Sequence, residues 1–249
     1  MFRLACRLIP WSVLVAGCAS TPKQSDESSS LPTYEVQYIR TNLDIDGRPD
    51  EPEWRSATPM NLVITDSGRS PRLPTTARML WDDDYLYVAF DCADRDLRAD
   101  MALDDDNLWE EDEVAEIFIQ PRPGSGKYLE FELNPRNTKL DLDCTNPTGT
   151  RADLNCRKEW NCTGWHNAVH LRGTLNDSTD TDEGWSCEMA IPIASVCGEP
   201  TLILPGDQWR VNLYRVNRTD GGTEYAAWSR TQKLDFHIPQ KFGVLIFQK

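Results

Sequence analysis

The sequence predicts an all-β fold, an antiparallel β-sandwich with a jelly-roll or immunoglobulin-like two-sheet architecture. Three observations lead there. Residues 79–92, MLWDDDYLYVAFDC, pass from a short apolar approach through an acidic turn into alternating aromatic and aliphatic residues. Eight or more short segments of this kind lie between turn signals, as in two sheets that each bury one face. Helical periodicity is absent, and so are GxGxxG, Walker and HExxH motifs.

In chain order, residues 34–65 hold two or three strands around LDIDGRPDEPEW. Asp46-Gly47 turns the chain, and Trp54 occupies a short helical turn that caps one end of the core. In the hairpin at 76–92, Asp82, Asp83 and Asp84 suit the tight turn because aspartate side chains bond nearby backbone N–H groups. Tyr85 to Phe90 carries the aromatic and branched residues that pack on a pleated sheet. Residues 93–111 form a long acidic loop. The strand at 113–120 places Val114, Glu116 and Phe118 on one face and Ala115, Ile117 and Ile119 on the other. After the turn PRPGSGK, its partner at 128–134 directs Leu129, Phe131 and Leu133 one way and Tyr128, Glu130, Glu132 and Asn134 the other. Residues 143–164 lack alternation and read as a long loop. Further strands are expected at 166–175, 184–191, 209–218, 223–229 and 242–247, with one helical turn after Ile191-Pro192.

Residues 1–17 read as a signal peptide of the lipoprotein type. Arg3 and Arg7 precede an apolar run, Leu8 to Val15, too short to span a bilayer, and small residues lead into Cys18. Cys18 is then the lipidated residue, and 18–33 are anchor and flexible tether, rich in Ser, Thr and Pro. An ordinary secretory peptide cut near Ala19 is the alternative. The expected location is the bacterial outer membrane or cell surface, with periplasmic or secreted as the alternative. Residues 34–249 form one domain, long enough for a proper core.

The first 17 residues hold two arginines and no acids, so the remainder has 24 basic and 40 acidic side chains, a net −16. That balance disfavours nucleic acid and anionic lipid, leaving the lipid anchor as the route to a membrane. Neutral ligands and cations suit it. Cys92, Cys144, Cys156, Cys162, Cys187 and Cys197 remain after Cys6 and Cys18, an even number that points to disulfides without fixing their pairing. No CxxC pair or zinc spacing is present.

Several segments together resemble the family-9 carbohydrate-binding modules: LDIDGRPDEPEW, ARMLWDDDYLYVAFDCAD, LWEEDEVAEIFI followed by YLEFELNP, and the closing FHIPQKFGVLIF. The resemblance runs from about residue 40 to 249 and implies an antiparallel β-sandwich that binds polysaccharide or oligosaccharide without catalysis, in support of carbohydrate breakdown. It implies two aromatic clamps, Trp109 and Phe236, because the apolar CH faces of a sugar ring stack on aromatic rings. Hydroxyls need polar partners, and Glu116, Glu130 and Arg215 are the candidates, with Tyr214 in Arg215's place if the register slips by one. Bound calcium is common in such modules. Two departures stand out: Glu132 where sugar-binding members carry a basic residue, and one extra residue between Trp109 and Glu116.

Three other readings compete with this one. No carboxylate pair is singled out for glycoside hydrolysis, so the domain is not expected to be an enzyme. A haem-b sandwich of the DOMON type would use Met79 and His170, both on expected strands. A calcium-stabilised structural or adhesive lipoprotein without a sugar ligand would use Asp104 to Asp106 and Glu110 to Glu113.

Overall fold

The computed structural model describes residues 30–218 and 222–249. The signal peptide, Cys18 and most of the tether lie outside the described residues. The strands are β1 Thr33–Tyr38, β2 Met60–Asn61, β3 Val63–Ile64, β4 Thr75–Trp81, β5 Tyr85–Ala93, β6 Val114–Gln120 and β7 Lys127–Leu133. They continue as β8 Lys139–Thr145, β9 Asn155–Arg157, β10 His166–Arg172, β11 Gly184–Pro192, β12 Gln208–Asn217, β13 Glu224–Ala227 and β14 Gly243–Gln248. Two short helices, α1 Leu108–Glu111 and α2 Ile193–Cys197, interrupt them.

The main strand order is β10-β11-β5-β4-β1-β14-β12-β6-β7-β8-β9. The sheet curls so that its two ends share one core, in which Met79, Val88, Phe90, Trp185 and Cys187 meet Ile117, Phe131, Val211 and Leu213. This is the sandwich the alternation predicts. It is mixed rather than wholly antiparallel: β1 runs parallel to both β4 and β14 and joins the two halves. A parallel neighbour needs a crossover, and the long excursion between β1 and β4 supplies it.

The 79–92 hairpin forms as expected. Asp82 Oδ1 accepts from the backbone N–H of Asp84 (2.8 Å) and Tyr85 (2.7 Å), and its Oδ2 accepts from the Tyr87 hydroxyl at 2.7 Å. Trp81 is framework: its ring packs edgewise on Tyr38 and Phe247, and its Nε1 donates to the Gln248 carbonyl at 2.9 Å. Trp54 sits in the expected helical turn but not at an end of the core. It covers the outer face of the sheet with Leu80, Tyr87, Ala89 and Ala190, and its Nε1 donates to Glu188 Oε1 at 3.0 Å.

The segment expected to be a loop at 143–164 contains the end of β8 and all of β9. Leu140, Leu142 and Cys144 alternate with Lys139, Asp141 and Asp143, a strand period that runs into the start of that segment. Cys144 and Cys156 face each other across β8 and β9 and form a disulfide. Cys92, Cys162, Cys187 and Cys197 are thiols, so the six cysteines supply one bridge and not three. Met79 and His170 cannot share a haem. Met79 lies in register with Val88, Met189 and Asn167, which face the core, whereas His170 is three residues from Asn167 and points to the opposite face.

Candidate functional site

The second apolar cluster lies on the outer face of β6, β7, β8 and β12, built on Phe118, Tyr128, Leu142, Tyr214 and Phe242. Alternation along β6 and β7 puts Glu116, Glu130 and Glu132 on that same face. The loop from β13 to β14 borders it, and together they form a half-open cavity of about 500 Å³. Its floor is the three glutamates. Trp109, Tyr225, Leu234 and Phe236 form one wall, and Leu142, Arg151, Leu154 and Cys156 another.

Trp109 projects from α1 and is 49 % exposed, unusual for a tryptophan with no burial to gain from the loop alone. Two side chains, Asp112 and Arg218, fasten its short helix. Asp112 accepts from the backbone N–H groups of Asp100 (2.8 Å) and Met101 (3.1 Å) and from Asn134 Nδ2 (2.8 Å). Arg218 donates to the carbonyls of Trp109, Glu110 and Asp112 at 2.5, 2.9 and 2.8 Å. Asp104 is likewise engaged, accepting from the Lys139 N–H at 3.2 Å. Part of the acidic loop therefore orders backbone.

Phe236 stacks on Tyr214, and the Tyr214 hydroxyl donates to the Phe236 carbonyl at 2.8 Å. Next to it, Asp235 pairs with Arg151 at 2.8 Å. His237 Nδ1 shares a 2.7 Å hydrogen bond with the Tyr128 hydroxyl. Burial lowers the pKa of His237 below the usual imidazole value, although Glu130 lies 3.8 Å away and pulls the other way.

The floor has an unusual electrostatic character. One oxygen from each of Glu116, Glu130 and Glu132 lies within 4.8 Å of the others, and all three side chains are buried. Burial, and then repulsion from the neighbouring carboxylates, raises the Glu116 and Glu132 carboxyls well above the ordinary range. Glu130 is thus buried, not on the solvated strand face that is the default for a strand carboxylate.

Four of the five expected sugar contacts, Trp109, Phe236, Glu116 and Glu130, line one cavity. Arg215 does not. It lies on the core side of β12, where its Nη2 pairs with Asp94 at 2.8 Å and Glu113 at 2.7 Å, and its guanidinium sits 5.1 Å from the centre of the Trp185 ring. Burial opposes its charge, and the Glu113 and Asp94 carboxylates more than restore it, so Arg215 is held protonated. The one-residue slip puts Tyr214 on the cavity side instead, beneath Phe236. Residues not singled out beforehand include Tyr225, Leu234, Arg151 and His237. Leu234 and His237 come on the loop after β13 and Arg151 on the connection from β8 to β9, where no periodicity marks them, and Tyr225 lies on β13 itself.

Among the described residues, a second group of four potential metal ligands is Glu130, Cys144, Cys156 and His237. Its two sulfurs are bonded to each other, so it offers no thiolate.

A family model described as carbohydrate family 9 binding domain-like matches residues 45–249. A curated relative described as an extracellular protein, from Arthroderma benhamiae, is 25 % identical over 202 residues, 78 % of this chain and 86 % of that one. Among solved structures, a protein of Bacteroides uniformis superposes with a TM-score of 0.69 at 18 % identity, over 88 % of this chain and 100 % of the other. A carbohydrate-binding module of family 9 from Caldicellulosiruptor kristjanssonii, in complex with cellotriose, superposes with a TM-score of 0.62 at 15 % identity, over 87 % and 93 %. At these identities the structural likeness establishes the shared fold.

Proposed function

The chain belongs to the carbohydrate family 9 binding domain-like family, and on that ground we propose that it is a non-catalytic carbohydrate-binding module, with the cavity over β6 and β7 as its sugar site. One observation carries the reading: an exposed tryptophan and a stacked phenylalanine flank a polar floor within a single cavity of sugar size. A pyranose offers CH faces to Trp109 and Phe236 and hydroxyls to the carboxyl groups below. Arg151 and His237 add polar groups at the wall. Shallow, polar sites leave little surplus after desolvation, so affinity is modest.

The chain would act as an exported module, held at the bacterial outer membrane or cell surface by a lipid on Cys18, that retains oligosaccharide or polysaccharide during its breakdown. The extracellular relative supports export, and the small residues before Cys18 support the anchor.

Cellotriose and glucose, held by structures of the Caldicellulosiruptor module, are the first ligands to test. Calorimetric titration of each into the wild-type domain and Trp109→Ala is expected to show binding that the substitution abolishes. Trp109 is exposed, so its loss should leave melting within about 0.5 kcal/mol of wild type. Equal binding by both proteins would overturn the site. A panel of other glycans then separates a wrong sugar from a wrong site, because any true ligand must lose affinity with Trp109→Ala.

A further inference from the structure

We propose that Glu116, Glu130 and Glu132 hold a divalent cation of the calcium class at the floor of the cavity. Two independent observations point there. The first is geometry. Oxygens bound to one calcium ion at about 2.4 Å lie no more than about 4.8 Å apart, and one oxygen from each of the three side chains meets that limit. The second is polar satisfaction. Both carboxylate oxygens of Glu132 and Oε1 of Glu116 are buried without a hydrogen-bond donor, and the two residues are 0 % and 1 % exposed. Buried carboxylate oxygens are normally paired, and leaving them bare is costly.

Among the described residues, no cationic side chain is paired directly with Glu116 or Glu132, and Lys158 acts on Glu132 only through its charge. Arg151 is turned to Asp235, and Arg215 lies on the opposite face of the sheet with Asp94 and Glu113. Lys158 Nζ donates to Asn107 at 2.8 Å. His237 Nδ1 is taken up by the Tyr128 hydroxyl. Three adjacent carboxyls in this position must share protons or share a cation. The donor set is all oxygen once the Cys144–Cys156 disulfide is set aside, which favours calcium over zinc or copper. The cation site stands whether or not a sugar occupies the cavity above it.

The test uses no sugar. Chelator-treated full-length domain is titrated with calcium chloride in a calorimeter, and its melting is followed with and without the ion. The expected result is one binding event and a raised Tm in the wild type. In Glu132→Gln and in Glu116→Gln the affinity falls by about tenfold or more, since affinity follows the number of charged oxygen ligands. Asp104→Asn, in the acidic loop, retains wild-type binding. Each amide variant removes repulsion and is expected to fold, which circular dichroism checks. No calcium heat and no change in Tm in the wild type would overturn the proposal. So would unaltered binding in both glutamine variants, which would place the ion elsewhere.

Discussion

The ring of Phe236 lies on the ring of Tyr214, with centroids 4.1 Å apart and planes 13° from parallel. A fully buried strand residue thereby fixes an aromatic side chain carried by a loop. One face of Phe236 is covered by Tyr214, and Tyr225 packs edgewise against the same ring with centroids 6.0 Å apart. The Tyr214 hydroxyl adds a second hold by donating to the Phe236 carbonyl.

Tyr214→Phe tests this hold. The stack survives and the hydroxyl is lost, leaving the Phe236 carbonyl without that donor. A net hydrogen bond of this kind is worth about 1 kcal/mol. Oligosaccharide affinity should fall several-fold through loosening of Phe236, with a small loss in Tm, as measured by calorimetric titration and thermal melting. Unchanged affinity with lowered Tm would make the hydroxyl purely structural.

Much of this arrangement was legible in the residues alone. The faces of Glu116 and Glu130 followed from strict alternation on β6 and β7, whereas Trp109 and Phe236 were singled out by the family resemblance. Arg215 shows where such reading stops. The strand around it, Asn212 to Asn217, places polar and apolar residues on both faces, so period two did not say which side is core. What decides is a charge pair supplied from Asp94 and Glu113, and Asp94 lies 121 residues away in the chain. The walls of the cavity were hidden for a related reason, since Leu234 and Arg151 arrive on loops.

Arg215→Met should therefore damage stability before it touches any sugar contact. It removes the cation and leaves Asp94 and Glu113 buried together, a situation that costs roughly 3–5 kcal/mol. Denaturant unfolding should show a loss of that size. A triple variant, Arg215→Met with Asp94→Asn and Glu113→Gln, should recover a large part of it. A variant that binds sugar poorly while fully stable would instead return Arg215 to the site.

The disulfide connects stability to the cavity wall. Cys144 and Cys156 close a loop that carries Arg151 and Leu154, both at the cavity. A cross-link over a loop of this size contributes about 3 kcal/mol in the chain-entropy description. Cys144→Ser with Cys156→Ser should lower the denaturant midpoint by an amount of that order and weaken oligosaccharide binding. Mild reduction of the wild type should reproduce both changes, and intact mass should confirm one bridge opened.

Glu188 sets a pH dependence far from the sugar site. Burial, and then Glu51, push its carboxyl up to about 7, against the hydrogen bonds it accepts from Trp54 Nε1 and the N–H groups of Gly47 and Asp46. In the unfolded chain a glutamate titrates near its ordinary value of about 4.3. Between those values the folded state binds more protons than the unfolded one, so this group's contribution is full below the unfolded value and is lost as pH rises through about 7. Glu188→Gln cannot titrate, and its amide sets a donor against the N–H groups that the carboxylate accepted. The variant should be less stable at every pH, yet its unfolding free energy should fall less between pH 5 and 8 than that of the wild type. Parallel pH profiles for the two proteins would show that Glu188 does not carry this part of the dependence.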